Sequence, residues 1–208
     1  SLIAIHLSRL AEELIIWSSD RFNFVKLPEK FTTGSSIMPQ KRNPDAAELI
    51  RGKSGRIFGN LITLMTVLKG LPMTYGKDMQ EDKEPVFDTA RNIELCILNM
   101  DGMLKEIEPI SEKMMQALQK GYPTATDIAD YLVTNLDIPF REAHYLTGKI
   151  VLLAESKMTS LEDLTLEEIQ SVVPNVDLRI LEVVKIQNSV SSRTSYGGTA
   201  PKNVLKAI

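Results

Sequence analysis

Between residues 86 and 107, apolar side chains recur at Ala90, Ile93, Ile97, Met100, Leu104 and Ile107 in alternating steps of three and four. This alternation keeps one apolar stripe on one side of an α-helix about 33 Å long at 1.5 Å per residue. A helix of that length with a narrow stripe buries it by lying alongside other helices, so a bundle is the expected architecture. No run combines sustained period-two alternation with β-branched enrichment, and the chain is therefore expected to be all-α.

The flanking sequence fits this frame. Ile3, Leu7, Leu10 and Leu14 follow one helix face from the first residues, with neither an initiator Met nor a cap before them. The expectation is a helix entered partway along, with residues 1–208 a segment of a longer protein whose N-terminal portion is absent. After a connector containing Pro28, helix signals resume at Asn43 as N-cap, Pro44 at the first helical position and Asp45 at the positive end of the helix dipole; they stop at Gly70 and Pro72. Gly52, Gly55 and Gly59 interrupt that helix at about 1 kcal/mol each relative to alanine, which suggests a stripe where a neighbouring helix backbone approaches. Beyond about residue 118 the helices become shorter and are punctuated by Pro123, Pro139 and Pro174, with a capping box at Thr165 and Glu168. The division is placed between residues 1–117, a portion of a long-helix bundle, and 118–208, a small C-terminal helical domain. The polar end around Gly197 and Gly198 reads as a loop and short tail.

Composition excludes several partners. A formal net charge of -3 gives no basic surplus for nucleic acid, and runs such as Ile150–Ala154 are far shorter than the roughly 20 residues of a membrane helix. The single Cys96 cannot form an intramolecular disulfide and reads as a buried helix residue. It fits a reducing, cytoplasmic setting. His6 and His144 sit in helix patterns without metal-ligand spacing, so neither a metal nor a cofactor is expected, and Trp17 and the methionines read as core.

Two loops carry the chemistry. In residues 31–44, Gly34 gives backbone freedom, Lys41 and Arg42 bring charge, and the following helix start adds about half a positive charge, an arrangement that suits a carboxylate or phosphate. Ser35 or Ser36 there has cations and N–H donors to stabilise an alkoxide for proton transfer. The same residues also suit a solvated loop whose Asn43 only caps a helix. The second loop, from Met73 to Pro85, concentrates Tyr75, Lys77, Asp78, Gln80, Glu81, Asp82 and Lys83, and by itself reads equally as a solvated charge run.

The stretch "GSSIMPQKRNPD" resembles the signature loop of the fumarase/aspartase superfamily, whose members cleave C–N or C–O bonds by β-elimination and release fumarate. With "AAELIRGKSGRIFG", "LKGLPMTYGKDMQEDKEPVFD", "ATDIADYLV", "PFREAH" and "GGTA", nearly the whole chain is similar to the argininosuccinate lyases and their lens relatives, the delta-crystallins. The resemblance implies a carbon–nitrogen lyase acting on argininosuccinate to give arginine and fumarate. It implies catalytic roles for Ser35 as the proton-abstracting base, Lys41 as charge stabiliser and Glu48 as partner of a histidine on another subunit. Asn43, Tyr75, Gln80 and Lys83 match substrate-binding positions. It further implies a homotetramer with sites shared between subunits, and a segment inactive alone, since neither His6 nor His144 lies in a matching motif. Arg42 and Gly76 depart from residues common in the family and leave the matched positions intact. Adenylosuccinate lyase, an aspartase-like enzyme and a non-catalytic crystallin remain as alternatives.

Overall fold

The computed structural model describes residues 1–119 and 121–208, and the chain divides into two compact units, Ser1–Met114 and Met115–Ile208. The fold is all-α apart from four two-residue strands among the described residues. Each unit is built on its own core.

The first unit is carried by α1 (Leu2–Ser18), α2 (Asp45–Leu68) and α3 (Lys83–Lys105). α1 and α3 both pack on α2, around Ala11, Leu14, Leu27, Ala47, Ile50, Cys96, Met100 and Met103. Full burial of a side chain such as Leu14 stabilises by about 1.5–3 kcal/mol, and Ala11 and Ala47 let the helix axes approach. Between α1 and α2 the chain forms β1 (Val25–Lys26), a 3-10 turn at Glu29–Phe31, β2 (Thr33–Gly34) and β3 (Arg42–Asn43). β1 pairs antiparallel with β4 (Glu108–Pro109), beyond the end of α3, and β2 pairs antiparallel with β3. α2 stops where Gly70 takes a left-handed φ of +64°, which glycine adopts without steric cost, two residues before Pro72.

Several sequence expectations are corrected here. Asn43 does not cap α2: its backbone pairs with Thr33 in the β2–β3 ladder, so Pro44 takes the cap position and the helix starts at Asp45. The 90–107 stripe is only partly the seam of this unit. Met100 is buried and Ile93 and Ile107 are half-buried, but Ala90, Ile97 and Leu104 are exposed, because α3 meets its neighbours mainly through Asn92, Cys96, Met100 and Met103. Among the described residues nothing lies within 4 Å of a methyl group built on Gly52, Gly55 or Gly59, so within them this stripe of α2 is open and a helix packed on it would have to come from elsewhere, such as another copy. In α1 the buried face is Ala4, Ala11 and Leu14, with Ile3 exposed; of the methionines, Met73 and Met158 are more than nine-tenths exposed and not core.

A polar ladder sets the register of α2 against α3. Lys53 Nζ donates to Asn92 Oδ1 at 2.7 Å, Arg56 forks onto the Asp88 carboxylate at 2.6 and 2.7 Å, and Asn60 donates to Asp88 at 2.8 Å and to Thr89 at 3.0 Å. The hydrogen bonds of Arg56 and Asn60 hold the Asp88 carboxyl down from 3.8 to about 2. A depressed carboxylate contributes stability that is complete above its ordinary value and disappears as pH falls through the folded one. Denaturation curves of the wild type and Asp88→Asn should therefore diverge above about pH 4 and converge toward about pH 2. Parallel curves across that window would remove the ladder's role.

α4 (Ser111–Leu118) spans the division between the units. The second unit contains α5 (Ala125–Leu136), α6 (Phe140–Lys157), α7 (Leu166–Gln170), α8 (Ile180–Val183), α9 (Ile186–Ser192) and α10 (Pro201–Ala207). Its core is formed by Ile128, Leu132, Ile150, Ala154, Ile169, Ile180 and Val184, all fully buried. The capping box is present in both directions: Glu168 N–H donates to Thr165 Oγ1 at 3.3 Å and Thr165 N–H donates to Glu168 Oε2 at 2.8 Å. Asp137 and Met158 end α5 and α6 in left-handed conformations. α10, in the stretch read as tail, starts with Pro201 at the first helical position, where a missing N–H costs nothing.

Candidate active site

The first loop projects from a pinned stem. Thr33 pairs with Asn43 and Gly34 with Arg42; the Thr33 hydroxyl also donates to the Asp45 carboxylate, and Arg42 forms an ion pair with Glu29. Residues 35–41 close the hairpin, with Lys41 N–H donating to the Met38 carbonyl at 3.0 Å. Within this turn the two serines part company. Ser35 is half-buried, and its Oγ accepts N–H bonds from Ile37 at 3.2 Å and Met38 at 3.1 Å; Ser36 is exposed. Two backbone dipoles aimed at one hydroxyl oxygen are what an oxyanion at that atom needs.

Where the hairpin returns, a cavity of about 630 Å³ opens against the C-terminal end of α1. Lys41, Asn43 and Glu48 all line it, with Gln40, Arg42, Ser18, Ser19 and Asp20. Arg42 is engaged by Glu29, whereas Lys41 and the Asn43 amide make no side-chain hydrogen bond or ion pair among the described residues, leaving both for a ligand. Ser35 is not part of this lining; it lies in the turn of the hairpin. The residues at and just beyond the end of α1 that close the cavity, Ser18, Ser19 and Asp20, were missed by sequence reasoning, because a polar helix end carries no signal of what faces it.

Tyr75, Gln80 and Lys83 lie elsewhere. They follow the C-terminal end of α2, Tyr75 in an exposed turn and Gln80 in the 3-10 helix Lys77–Asp82 that runs into α3 at Lys83. Positions three apart in such a turn share one side, which sets Gln80 and Lys83 together. A cation on the first turn of a helix opposes the dipole, and here Asp82 offsets it with an ion pair at 2.7 Å that raises the Lys83 pKa. α2 has 24 residues, about 36 Å, with the hairpin at its start; the second loop follows its end, and the 3-10 helix packs back on its far portion. One copy of this chain does not bring them together.

The histidines stay outside both places. His6 is exposed on α1, some 12 residues or about 18 Å from Ser18, and His144 is exposed on α6 beside Phe140. Cys96 is buried, and desolvation pushes its thiol pKa up, as expected of a core residue. No group of three His, Cys, Asp or Glu side chains suited to a metal occurs among the described residues, and no helix among them is long and apolar enough to cross a membrane.

A helical bundle with a serine hairpin set on the start of α2 is what the resemblance to the fumarase/aspartase lyases implies. Over 98% of its length the chain superposes on EDDS lyase in complex with formate (TM-score 0.84, 28% identity) and on a fumarate-bound EDDS lyase variant (TM-score 0.84, 27% identity), each match covering 42% of the solved chain. 3-Carboxy-cis,cis-muconate lactonizing enzyme from Pseudomonas putida shares the fold at 17% identity, with a TM-score of 0.68, over 88% of this chain and 40% of its own. Residues 1–59 match the family described as "Lyase" and residues 122–191 the family described as "Argininosuccinate lyase C-terminal". Across all 208 residues the chain is 56% identical to argininosuccinate lyase 1 of Mesorhizobium japonicum and 55% identical to the argininosuccinate lyase of Ehrlichia chaffeensis. Along its whole length the chain is thus similar to argininosuccinate lyases. It spans 45% and 44% of the length of those two relatives.

Proposed function

We propose that this chain supplies the serine hairpin and the second substrate loop of an argininosuccinate lyase, a carbon–nitrogen lyase assembled as a homotetramer and acting in the cytoplasm. The observation that carries the reading is the pair of N–H bonds converging on Ser35 Oγ, on a hairpin whose return lines a cavity with Lys41 and Asn43, both without side-chain partners among the described residues. The reaction removes a proton from the carbon beside a carboxylate, and the electron pair passes into that carboxylate as a dianion before the C–N bond breaks. Ser35 takes the proton, with the Ile37 and Met38 N–H groups stabilising its oxyanion. Lys41 and Asn43 stabilise the dianion, where preorganised donors have their largest effect. As the C–N bond breaks, its electron pair leaves with the guanidino nitrogen, arginine departs and fumarate remains. Glu48, on the first turn after the hairpin, is placed to hold a histidine from another copy, and Tyr75, Gln80 and Lys83 of a further copy grip the substrate.

A polypeptide of the relatives' length that carries this chain is expected to release fumarate from argininosuccinate and from neither adenylosuccinate nor aspartate. Turnover of one of those two instead would assign a different lyase of the class. A folded tetramer inert toward all three would favour a structural, crystallin-like role.

A further inference from the structure

The stem of the serine hairpin is fixed to α3 by a contact that the chemistry above does not use. Phe31 ends the 3-10 turn Glu29–Phe31 and lies so close to Gly102 that a methyl group on that glycine would come within 2.5 Å of the Phe31 ζ carbon. It would also come within 3.2 Å of one ε carbon. Glycine is a poor residue for a helix interior, so its presence near the end of α3 calls for a local cause. The glycines of α2 show no such contact among the described residues, since nothing there lies within 4 Å of a methyl group on Gly52, Gly55 or Gly59. At Gly102 the cause is an aromatic ring pressed on the helix backbone.

Two further contacts hold the same turn. Lys30 Nζ makes an ion pair with Glu106 at 2.5 Å, four residues beyond Gly102 on the same side of α3, and stands 5.4 Å from the centre of the Phe31 ring. Only Thr32 separates Phe31 from β2, whose pairing with β3 sets where Ser35 begins the hairpin. A shift of the ring is therefore passed along a short, hydrogen-bonded stem to the serine.

We propose that Phe31 and Gly102 form the seat that positions the Ser35 hairpin, with Phe31 a positioning residue for proton abstraction. This rests on Ser35 being the base, as in the preceding subsection. Tyr75, Gln80 and Lys83 are at the other end of α2 and do not depend on this seat. Disturbing it should consequently lower kcat far more than it changes KM.

The test uses a polypeptide of the relatives' length with Gly102→Ala, Phe31→Leu and the two combined. Gly102→Ala displaces the ring, and misplacement on the ångström scale costs about 10- to 100-fold in rate, so kcat should fall by that factor with KM held within about threefold. The double variant gives the added methyl group room and should recover most of the loss. A second readout is independent of turnover: trypsin cleavage after Lys41 and Arg42, followed by mass spectrometry, should accelerate about tenfold in Gly102→Ala while melting temperature and helix content are retained. Unchanged kcat and unchanged cleavage in a folded Gly102→Ala protein would overturn the proposal. Equal losses in kcat/KM and melting temperature without rescue would do the same, since they describe a bulk packing defect. Should Gly102→Ala fail to fold, Phe31→Leu, which leaves α3 intact, decides on the same readouts. If the unsubstituted protein turns over none of the superfamily substrates, the functional reading fails while the cleavage comparison still judges the seat.

Discussion

Ser35→Ala in a polypeptide of the relatives' length is expected to lose about 100- to 10,000-fold in turnover, the usual contribution of a positioned proton-transfer group, while still binding argininosuccinate. Ser36→Ala should stay within a few-fold of the parent. The contrast follows from the hairpin: Ser35 Oγ collects the Ile37 and Met38 N–H groups, and Ser36 is turned to the surface. Removing the Ser35 hydroxyl takes away the proton acceptor and leaves Tyr75, Gln80 and Lys83 of the second loop to hold the substrate, so affinity survives where rate does not. Fumarate appearance by ultraviolet absorbance and substrate binding by calorimetry separate the two effects. A Ser35→Ala protein with undiminished turnover would sink the assignment of the base.

Co-expressing Lys41→Met with Gln80→Ala, each expected to be nearly inactive alone, should restore activity to roughly one quarter of the parent level. The figure comes from geometry and counting. Lys41 and Gln80 flank opposite ends of a helix about 36 Å long, so a site using both must draw them from two copies. In randomly mixed assemblies one contributing copy in two has an intact hairpin and one in two an intact second loop, and roughly one site in four has both. Were the two residues to serve the same site from one chain, no mixture would contain an intact site and activity would stay at the level of the single variants. Activity measured against mixing ratio, with light scattering to verify equal assembly, distinguishes these outcomes.

The sequence made the local devices legible because their causes are local. The capping box at Thr165 and Glu168 and the glycine stop at Gly70 are set by residues within a turn of one another, and both are present. Burial of Cys96 followed from its place in a regular helix. What could not be read were features settled by distant partners. The Asn43 backbone is claimed by Thr33 across the hairpin, which no cap propensity anticipates. The 90–107 stripe was visible, but which half faces α1 and α2 depends on how α3 is rotated, and that is fixed by Asn60, Arg56 and Lys53 reaching over from α2. The candidate site was legible as residue types and not as a place. Lys41, Asn43 and Glu48 share a cavity, whereas Tyr75, Gln80 and Lys83 stand toward the far end of α2, a separation that loop composition cannot express.

The single helix joining the two loops behaves as a rigid ruler. Each residue inserted into or deleted from positions 45–68 would move the far loop by about 1.5 Å and turn it by about 100° around the axis. Such a change carries Tyr75, Gln80 and Lys83 out of phase with whatever surface they meet, even if every side chain in the helix is retained. Substitution along α2 alters chemistry one position at a time, but its length is a single shared quantity. Residues added in the turns outside the helix would leave that length unchanged.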